Sequence, residues 1–206
     1  MNINLNGNSE NENRTSCGDT AIEIVEKSAT NYVDGNSIYI LGEFDDTITK
    51  NVVPNLVKII NAQKSLKSGK IEFFINSNGG YYSVLTELLS LISMAKGFGV
   101  KVITYNMGMA YSCASMLSVV GDERKMFKYA KNLMHLGTTF ESNSTVKQLE
   151  RNNKRQKEHF NDIIALYKEH SKLSEAKIRE FMSDDCCFLN ANECLRYGLV
   201  DEICVC

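Results

Sequence analysis

The feature that most constrains the fold of this chain is a strand, turn and helix unit that occurs three times, about 30 residues apart. The pattern predicts buried strands at Ser37–Gly42, Ile71–Ile75 and Val100–Tyr105, each followed by a turn and a helix with one apolar face. Strands that alternate with helices pair in parallel through right-handed crossovers, because each helix must pack back on the sheet. The sequence therefore predicts an α/β domain.

The two ends of the chain differ from this body in composition. Residues 1–18 are polar, which predicts a disordered tail, and residues 19–36 are expected to form an N-terminal arm. Residues 37–206 would then form one domain, since 206 residues with 43% hydrophobic content can bury one substantial core. Within it, Thr145–His170 is predicted to be a long helix, and its polar N-terminal half favours contact with another subunit.

Charge and hydropathy exclude several classes of function. The net charge is -2, so no overall basic field indicates binding to nucleic acid or to an anionic membrane. No segment has the roughly 20 consecutive apolar residues that a transmembrane helix needs, and residues 1–20 lack the apolar core of a secretory signal. We therefore expect a cytoplasmic protein.

Seven cysteines raise the question of disulfides or a metal site. Without an export signal, and in a chain of this size, free thiols are the default. Five of the cysteines lie near the C-terminus, but they form no C-x-x-C pair and have no histidine among them, so zinc is disfavoured. The sequence also lacks the G-x-x-x-x-G-K-[ST] loop that binds ATP. We expect no metal and no cofactor.

Three positions are candidates for catalysis. Ser112 lies where the third predicted strand gives way to a helix, and a helix N-terminus offers unpaired N–H groups to a developing oxyanion. Gly79-Gly80 forms a second strand-to-helix turn whose backbone can approach a substrate closely. His135 follows another apolar segment and is a candidate base. A helix-capping serine and a structural histidine are the alternative interpretations of Ser112 and His135.

Taken in order, these segments resemble the proteolytic subunit of the Clp protease, a crotonase-like serine peptidase. The similar segments are, in chain order, Ile40–Asp46 at the first core strand, Ile75–Gly80 at the Gly-Gly loop, Met107–Ser112 at the Met-Gly-x-Ala-x-Ser nucleophile motif, Leu133–His135 at the histidine segment, and Phe188–Asp201 at the C-terminal signature. The resemblance covers about residues 37–204 and implies a crotonase-like α/β fold with a long handle helix, near residues 145–170, that joins two rings.

The resemblance also assigns roles to single residues. Ser112 would be the nucleophile, His135 the general base, and the backbone amides of Gly80 and Cys113 the oxyanion hole. In this family the orienting Asp lies two residues before the aromatic residue of the C-terminal signature. Phe188 is that aromatic residue here, and Cys186 occupies the expected position. A shift of one residue assigns the role to Asp185.

The family assembles as heptameric rings stacked into a barrel of 14 subunits, so the resemblance implies self-association and unfolded proteins or peptides as substrates. An ATP-dependent unfoldase of the AAA+ class would be the partner. However, only about ten residues, 28–37, separate the arm segment Ile22–Lys27 from the first core strand, where the family usually has a helix that helps to dock the unfoldase. The usual docking mode is therefore in question.

Three alternatives stay open. Cys186 favours a catalytically impaired structural subunit of a mixed barrel. A crotonase-type enzyme that acts on acyl-CoA shares the fold and its paired oxyanion amides, but it does not need Ser112 and His135 in these motifs. A Ser-Lys peptidase of the signal-peptide-peptidase type would use a lysine in place of His135 as its base.

Overall fold

The computed structural model describes residues 30–135, 146–183 and 187–204, in which an eight-stranded sheet is packed with six α-helices. The strands are β1 (Asn31–Asp34), β2 (Ser37–Ile40), β3 (Lys70–Ser77), β4 (Lys101–Tyr111), β5 (Glu123–Phe127), β6 (Lys131–Leu133), β7 (Phe188–Asn190) and β8 (Glu202–Cys204). The helices are α1 (Val53–Gln63), α2 (Tyr82–Gly97), α3 (Cys113–Val119), α4 (Val146–His170), α5 (Glu175–Ser183) and α6 (Ala191–Arg196).

The sheet has a parallel centre, as the repeated unit predicts. The strand order is β1-β2-β3-β4-β5-β8, and β2, β3, β4, β5 and β8 pair in parallel. β1 pairs antiparallel with β2 through a tight turn at Gly35-Asn36, where Gly35 adopts a φ of 58°. This strand lies in the segment assigned to the N-terminal arm, so part of the arm is joined to the sheet. The division of the chain into tail, arm and domain stays a prediction.

Strand β4 is longer than the sequence pattern predicts and has two neighbours in succession. Residues 103–106 pair with β5, and residues 109–111 pair in parallel with β6. On the other side, the register between β3 and β4 shifts between Ile75 and Ser77. The intervening Asn76 compensates for this shift, since its Oδ1 accepts a hydrogen bond of 2.9 Å from the Met109 amide. As a result, β4 ends beside β6, at the point where the site lies.

Helices α1 and α2 each bury one apolar face, whereas α3 is buried on all sides. The first predicted helix begins as a π-helical turn at Ile48–Val52 before α1, and Pro54 lies in the first turn of α1, where its missing N–H has no intrahelical acceptor to bond. Helix α4 matches the predicted span closely and packs its C-terminal part through Ile163, Ile164 and Tyr167. No helix in the described ranges is long and apolar enough to cross a membrane.

The apolar pattern predicts a last strand at Leu199–Ile203, but β8 begins three residues later, at Glu202. Gly198 adopts a φ of 68°, and the amides of Leu199 and Val200 then donate to the carbonyl of Cys194 instead of to a neighbouring strand. Asp201 rejoins the sheet through its amide, which donates to the Arg124 carbonyl at 2.7 Å. A helix-terminating turn therefore uses the residues that the apolar pattern assigned to a strand.

Candidate active site

Ser112 lies between the end of β4 and the start of α3, and its backbone is unusual. Within the described ranges, Ser112 is the only non-glycine residue with a positive φ. Its φ is 54° and its ψ is -123°. An L-residue adopts this conformation at a cost of about 1–3 kcal/mol, and such residues cluster at active sites. A sharp turn of this kind, from strand to helix, exposes a nucleophilic serine in other hydrolases. The Ser112 side chain is half-buried.

Two hydrogen bonds hold this conformation. The Ser112 amide donates to the Leu133 carbonyl at 3.0 Å, which continues the pairing of β4 with β6 by one residue. The Ser112 carbonyl accepts from the Met116 amide at 3.2 Å and so opens the helix. The residues of α3 are all buried, so the turn cannot relax without moving the core.

Gly79 and Gly80 pack directly against this turn. They adopt φ values of 93° and 146°. A Cβ atom at Gly79 would lie 2.7 Å from the Ser112 Cβ, and one at Gly80 would lie 2.6 Å from the Phe44 carbonyl oxygen. Both positions therefore require glycine for their conformation and for close approach.

The backbone of Phe44 fixes the glycine turn from its other side. The Phe44 amide donates to Gly79 at 2.8 Å, and the Phe44 carbonyl accepts from the Tyr81 amide at 2.7 Å. This bridge does not use the Gly80 N–H. The Cys113 N–H is the first of α3 and has no acceptor within the helix, as at every helix start. The two amides predicted to form an oxyanion hole thus belong to two turns in contact.

His135 follows β6 by two residues and is half-buried. Because β4 and β6 are parallel neighbours, with Tyr111 opposite Leu133, Ser112 and His135 both follow the carboxyl ends of adjacent strands. The fold therefore brings the predicted nucleophile and the predicted base to the same edge of the sheet, although 23 positions separate them in the sequence.

The thiol of Cys113 lies at the same junction. It is buried and donates to the Gly80 carbonyl at 3.2 Å, which ties α3 to the glycine turn. Burial raises the pKa of the Cys113 thiol, and hydrogen bonding to the Gly80 backbone and to Ser112 opposes this rise only in part. The thiol is thus neutral at physiological pH and acts as a hydrogen-bond donor.

Asp184, Asp185 and Cys186 lie outside the described residues, so the third member of the triad stays a prediction. The sequence alone did not indicate that Gly79 is a direct neighbour of Ser112, or that Asn76 and Phe44 fix the turn. Asn76 was visible in the Asn-Ser-Asn-Gly-Gly motif, but no local pattern indicates that Phe44 pairs with Gly80. In the described part of the chain, no cluster of three or more His, Cys, Asp or Glu residues could hold a metal ion.

Comparison with known proteins defines the family. The model of the Clp protease family matches residues 21–205. An ATP-dependent Clp protease proteolytic subunit 2 from Treponema denticola is 25% identical over 212 residues, covering 98% of this chain and 95% of the relative. An ATP-dependent Clp protease proteolytic subunit from Cyanophora paradoxa is 31% identical over 173 residues, covering 77% of this chain and 79% of the relative.

The chain belongs to the Clp protease family. Membership confirms the family and the crotonase-like α/β fold predicted from the ordered motifs. Together with the two relatives, it supports a protease subunit of the Clp type.

Proposed function

We propose that the chain is a serine endopeptidase subunit in which Ser112 is the nucleophile and His135 is the general base. The observation that carries this proposal is the Ser112 backbone, held at a φ of 54° by a hydrogen bond to β6, the strand that leads to His135. A strained turn lowers the stability of the fold, and such strain is typical of functional sites. Here the strained turn would present the Ser112 hydroxyl group to a substrate.

The proposed reaction follows the acyl-enzyme mechanism. The Ser112 Oγ attacks the carbonyl carbon of the peptide bond while His135 accepts its proton, and the amides of Gly80 and Cys113 stabilise the tetrahedral oxyanion. His135 then gives the proton to the leaving amine as the C–N bond breaks. Water, deprotonated by His135, attacks the acyl-enzyme, and the Ser112 hydroxyl is restored when the carboxylic acid product leaves.

Asp185 is our proposal for the residue that orients His135. In the antiparallel pair of β6 and β7, Leu133 is opposite Phe188. The start of β7 therefore lies beside the end of β6, and Asp185 precedes β7 by three residues in the sequence. A carboxylate stabilises the imidazolium, whereas the thiol of Cys186 does so poorly.

The assembly and cellular setting follow from the family as proposals. We propose heptameric rings stacked into a barrel, with α4 as the handle between the rings, and a separate ATP-dependent unfoldase that supplies unfolded proteins. We also propose a cytoplasmic location. No nucleic acid, membrane, metal or cofactor is required by the proposed reaction.

The second candidate is a structural subunit of a mixed barrel with an impaired triad. The presence of Cys186 at the expected aspartate position favours it. The two candidates share the fold and the assembly, and they differ in whether Ser112 reacts.

Labelling by a fluorophosphonate probe tests the proposed function, because the probe reacts with an activated serine. We expect one adduct on Ser112 in the assembled protein and none in Ser112→Ala. Asp185→Asn is expected to slow labelling at least about tenfold if Asp185 orients His135. An impaired triad predicts instead that the assembled parent chain is not labelled and that Cys186→Asp restores labelling. Full labelling of His135→Ala would favour the Ser-Lys alternative.

A further inference from the structure

A network of buried polar side chains links the two elements that carry Ser112 and His135. Five residues take part, each at most 2% exposed: Thr104 on β4, Ser115 and Ser118 on α3, Asn132 on β6 and Tyr167 on α4. Burial of this many polar groups stabilises a fold only if all of them are hydrogen-bonded.

The hydrogen bonds form a consistent set of donors and acceptors. Ser115 donates to the Asn132 Oδ1 at 2.8 Å, and the Asn132 Nδ2 donates to the Ser118 Oγ at 3.3 Å. Ser118 in turn donates to the Ser115 carbonyl at 2.7 Å. Because the single proton of Ser115 is directed to Asn132, the Tyr167 hydroxyl must donate to the Ser115 Oγ, 2.7 Å away.

The chemistry of Tyr167 agrees with this direction. Its side chain is fully buried, and burial raises the pKa of Tyr167 well above its usual value. The phenol is therefore neutral at all ordinary pH values and keeps the proton that it donates. Thr104 completes the set through a hydrogen bond of 2.7 Å from its Oγ1 to the Ser118 carbonyl.

The network lies directly behind the candidate active site. Ser115 is one helical turn after Ser112 on α3, and Asn132 is three residues before His135 on β6. A bond between Ser115 and Asn132 therefore fixes the distance between the two elements at a second point. The first point is the bond from the Ser112 amide to the Leu133 carbonyl.

We propose that Tyr167, Ser115 and Asn132 are positioning residues that set the placement of Ser112 relative to His135. Tyr167 lies on α4 and bonds to Ser115 on α3. The position of α4 therefore affects the position of Ser112 relative to His135. The inference rests on the proposed function for its catalytic meaning. A satisfied polar network specifies one geometry where apolar packing would tolerate several, because its bonds are directional.

Tyr167→Phe tests the proposal, because it removes one hydroxyl and keeps the ring. We expect kcat and the rate of fluorophosphonate labelling to fall about tenfold with KM within about twofold, since a small misplacement of reacting groups costs rate rather than binding. Tyr197→Phe is the matched control. Its hydroxyl accepts a hydrogen bond of 3.0 Å from Arg196, remote from the network, and we expect no change in kcat.

Hydrogen exchange gives a readout that does not depend on activity. In Tyr167→Phe we expect the Ser112 amide, and the segments 112–119 and 131–135, to exchange about tenfold faster than in Tyr197→Phe, with β2 unchanged. If Tyr167→Phe does not fold, Ser115→Ala tests the same contact, because it removes the bond from Tyr167 together with the bond to Asn132. The double variant should be no slower than the more severe single variant, because both act through the same contact.

The outcomes separate this inference from the proposed function. If the parent chain is labelled, and Tyr167→Phe has the same kcat and the same hydrogen exchange as the parent, the positioning role of Tyr167 is overturned. Ser112 then remains the proposed nucleophile. Absence of labelling in the assembled parent would overturn the proposed function, and exchange would then decide alone whether Tyr167 fixes this junction. Equal losses in Tyr167→Phe and Tyr197→Phe would show a general effect on folding and contradict a positioning role.

Discussion

The two strand-to-helix turns at the site both need residues with a positive φ, but they use different residue types. The turn after β3 reverses through Gly79 and Gly80, which adopt positive φ values without steric cost. The turn after β4 places Ser112 at a φ of 54°, where a side chain is strained. In the proposed reaction, the first turn only has to bring its backbone close, whereas the second has to present the Ser112 hydroxyl group. Strain is thus found where a side chain is needed.

The two turns also depend on each other. The space beside Ser112 exists because Gly79 has no side chain, and the Cys113 thiol joins α3 to the Gly80 carbonyl. Substitutions at either turn therefore test this difference in strain. They are expected to change peptidase activity and the free energy of unfolding by different amounts.

The largest expected effect comes from making the second turn resemble the first. Ser112→Gly should lower peptidase activity at least about a thousandfold, because the nucleophile is removed. Its free energy of unfolding should rise by about 1 kcal/mol, because the backbone strain is relieved. Ser112→Ala is the control, because it removes the hydroxyl and keeps the strained Cβ. Peptide hydrolysis and denaturant unfolding check both. Equal stability of the two variants would contradict the strain at Ser112.

Adding a side chain to the first turn should be the next largest effect. In Gly79→Ala the new Cβ would lie 2.7 Å from the Ser112 Cβ and 2.8 Å from the Tyr111 carbonyl oxygen. We expect a loss of at least about 2 kcal/mol in the free energy of unfolding, together with loss of activity. Gly99→Ala is a matched control, since Gly99 also has a positive φ, 75°, but has space for the added Cβ, with no neighbouring atom within 4 Å. Similar destabilisation of both variants would refute this contact.

The link between the turns should have a smaller effect. Cys113→Ala removes the hydrogen bond to Gly80, and we expect kcat to fall about threefold to tenfold with a loss of about 1 kcal/mol in stability. Cys194→Ala deletes another buried thiol, away from both turns, and should cost stability without lowering kcat. Steady-state kinetics on the two variants checks this difference. A fall in kcat for both variants would rule out a specific role for Cys113.

A charge pair remote from both turns should affect stability alone. Asp201 accepts hydrogen bonds from the Arg124 side chain and amide, and this pairing lowers the pKa of Asp201 from its usual value. Since the folded-state pKa is depressed, the stabilisation is present above the unfolded-state pKa and is lost as pH falls through the folded-state value. Allowing for its partial exposure, we expect Asp201→Asn to cost about 1 kcal/mol near pH 7.

The melting temperature followed from pH 7 to pH 3 checks this fourth prediction. The difference between Asp201→Asn and the parent should be about 2–4 °C at neutral pH and should shrink on the acid side. A difference that stays constant with pH, or a change in kcat at neutral pH, would contradict a purely structural pair.

The parallel core and the place of Ser112 could be predicted because they depend on local patterns. Apolar runs followed by Gly-rich turns mark β2, β3 and the first half of β4, and the strand-to-helix transition follows directly. The second half of β4 could not be predicted, because Gly108 interrupts Asn106–Tyr111 and glycine is unfavourable inside a strand. Its strand conformation depends on pairing with β6 and on the Asn76 side chain, both of which are tertiary contacts.

The supports of the site were hidden for the same reason. Ser115 and Asn132 have no sequence signature, because their role depends on Tyr167, which is far away in the chain and meets them only after α4 packs on α3. The strain at Ser112 is also invisible in the sequence, because serine is common at helix starts with ordinary backbone angles. Only the observed φ distinguishes a capping serine from a strained one.

The most direct test of the central claim is mass spectrometry of the assembled chain after reaction with a fluorophosphonate probe. The account predicts one phosphonyl group per chain, found by peptide mapping on Ser112 and absent from Ser112→Ala. An assembled parent chain without an adduct, or an adduct that persists in Ser112→Ala, would contradict it.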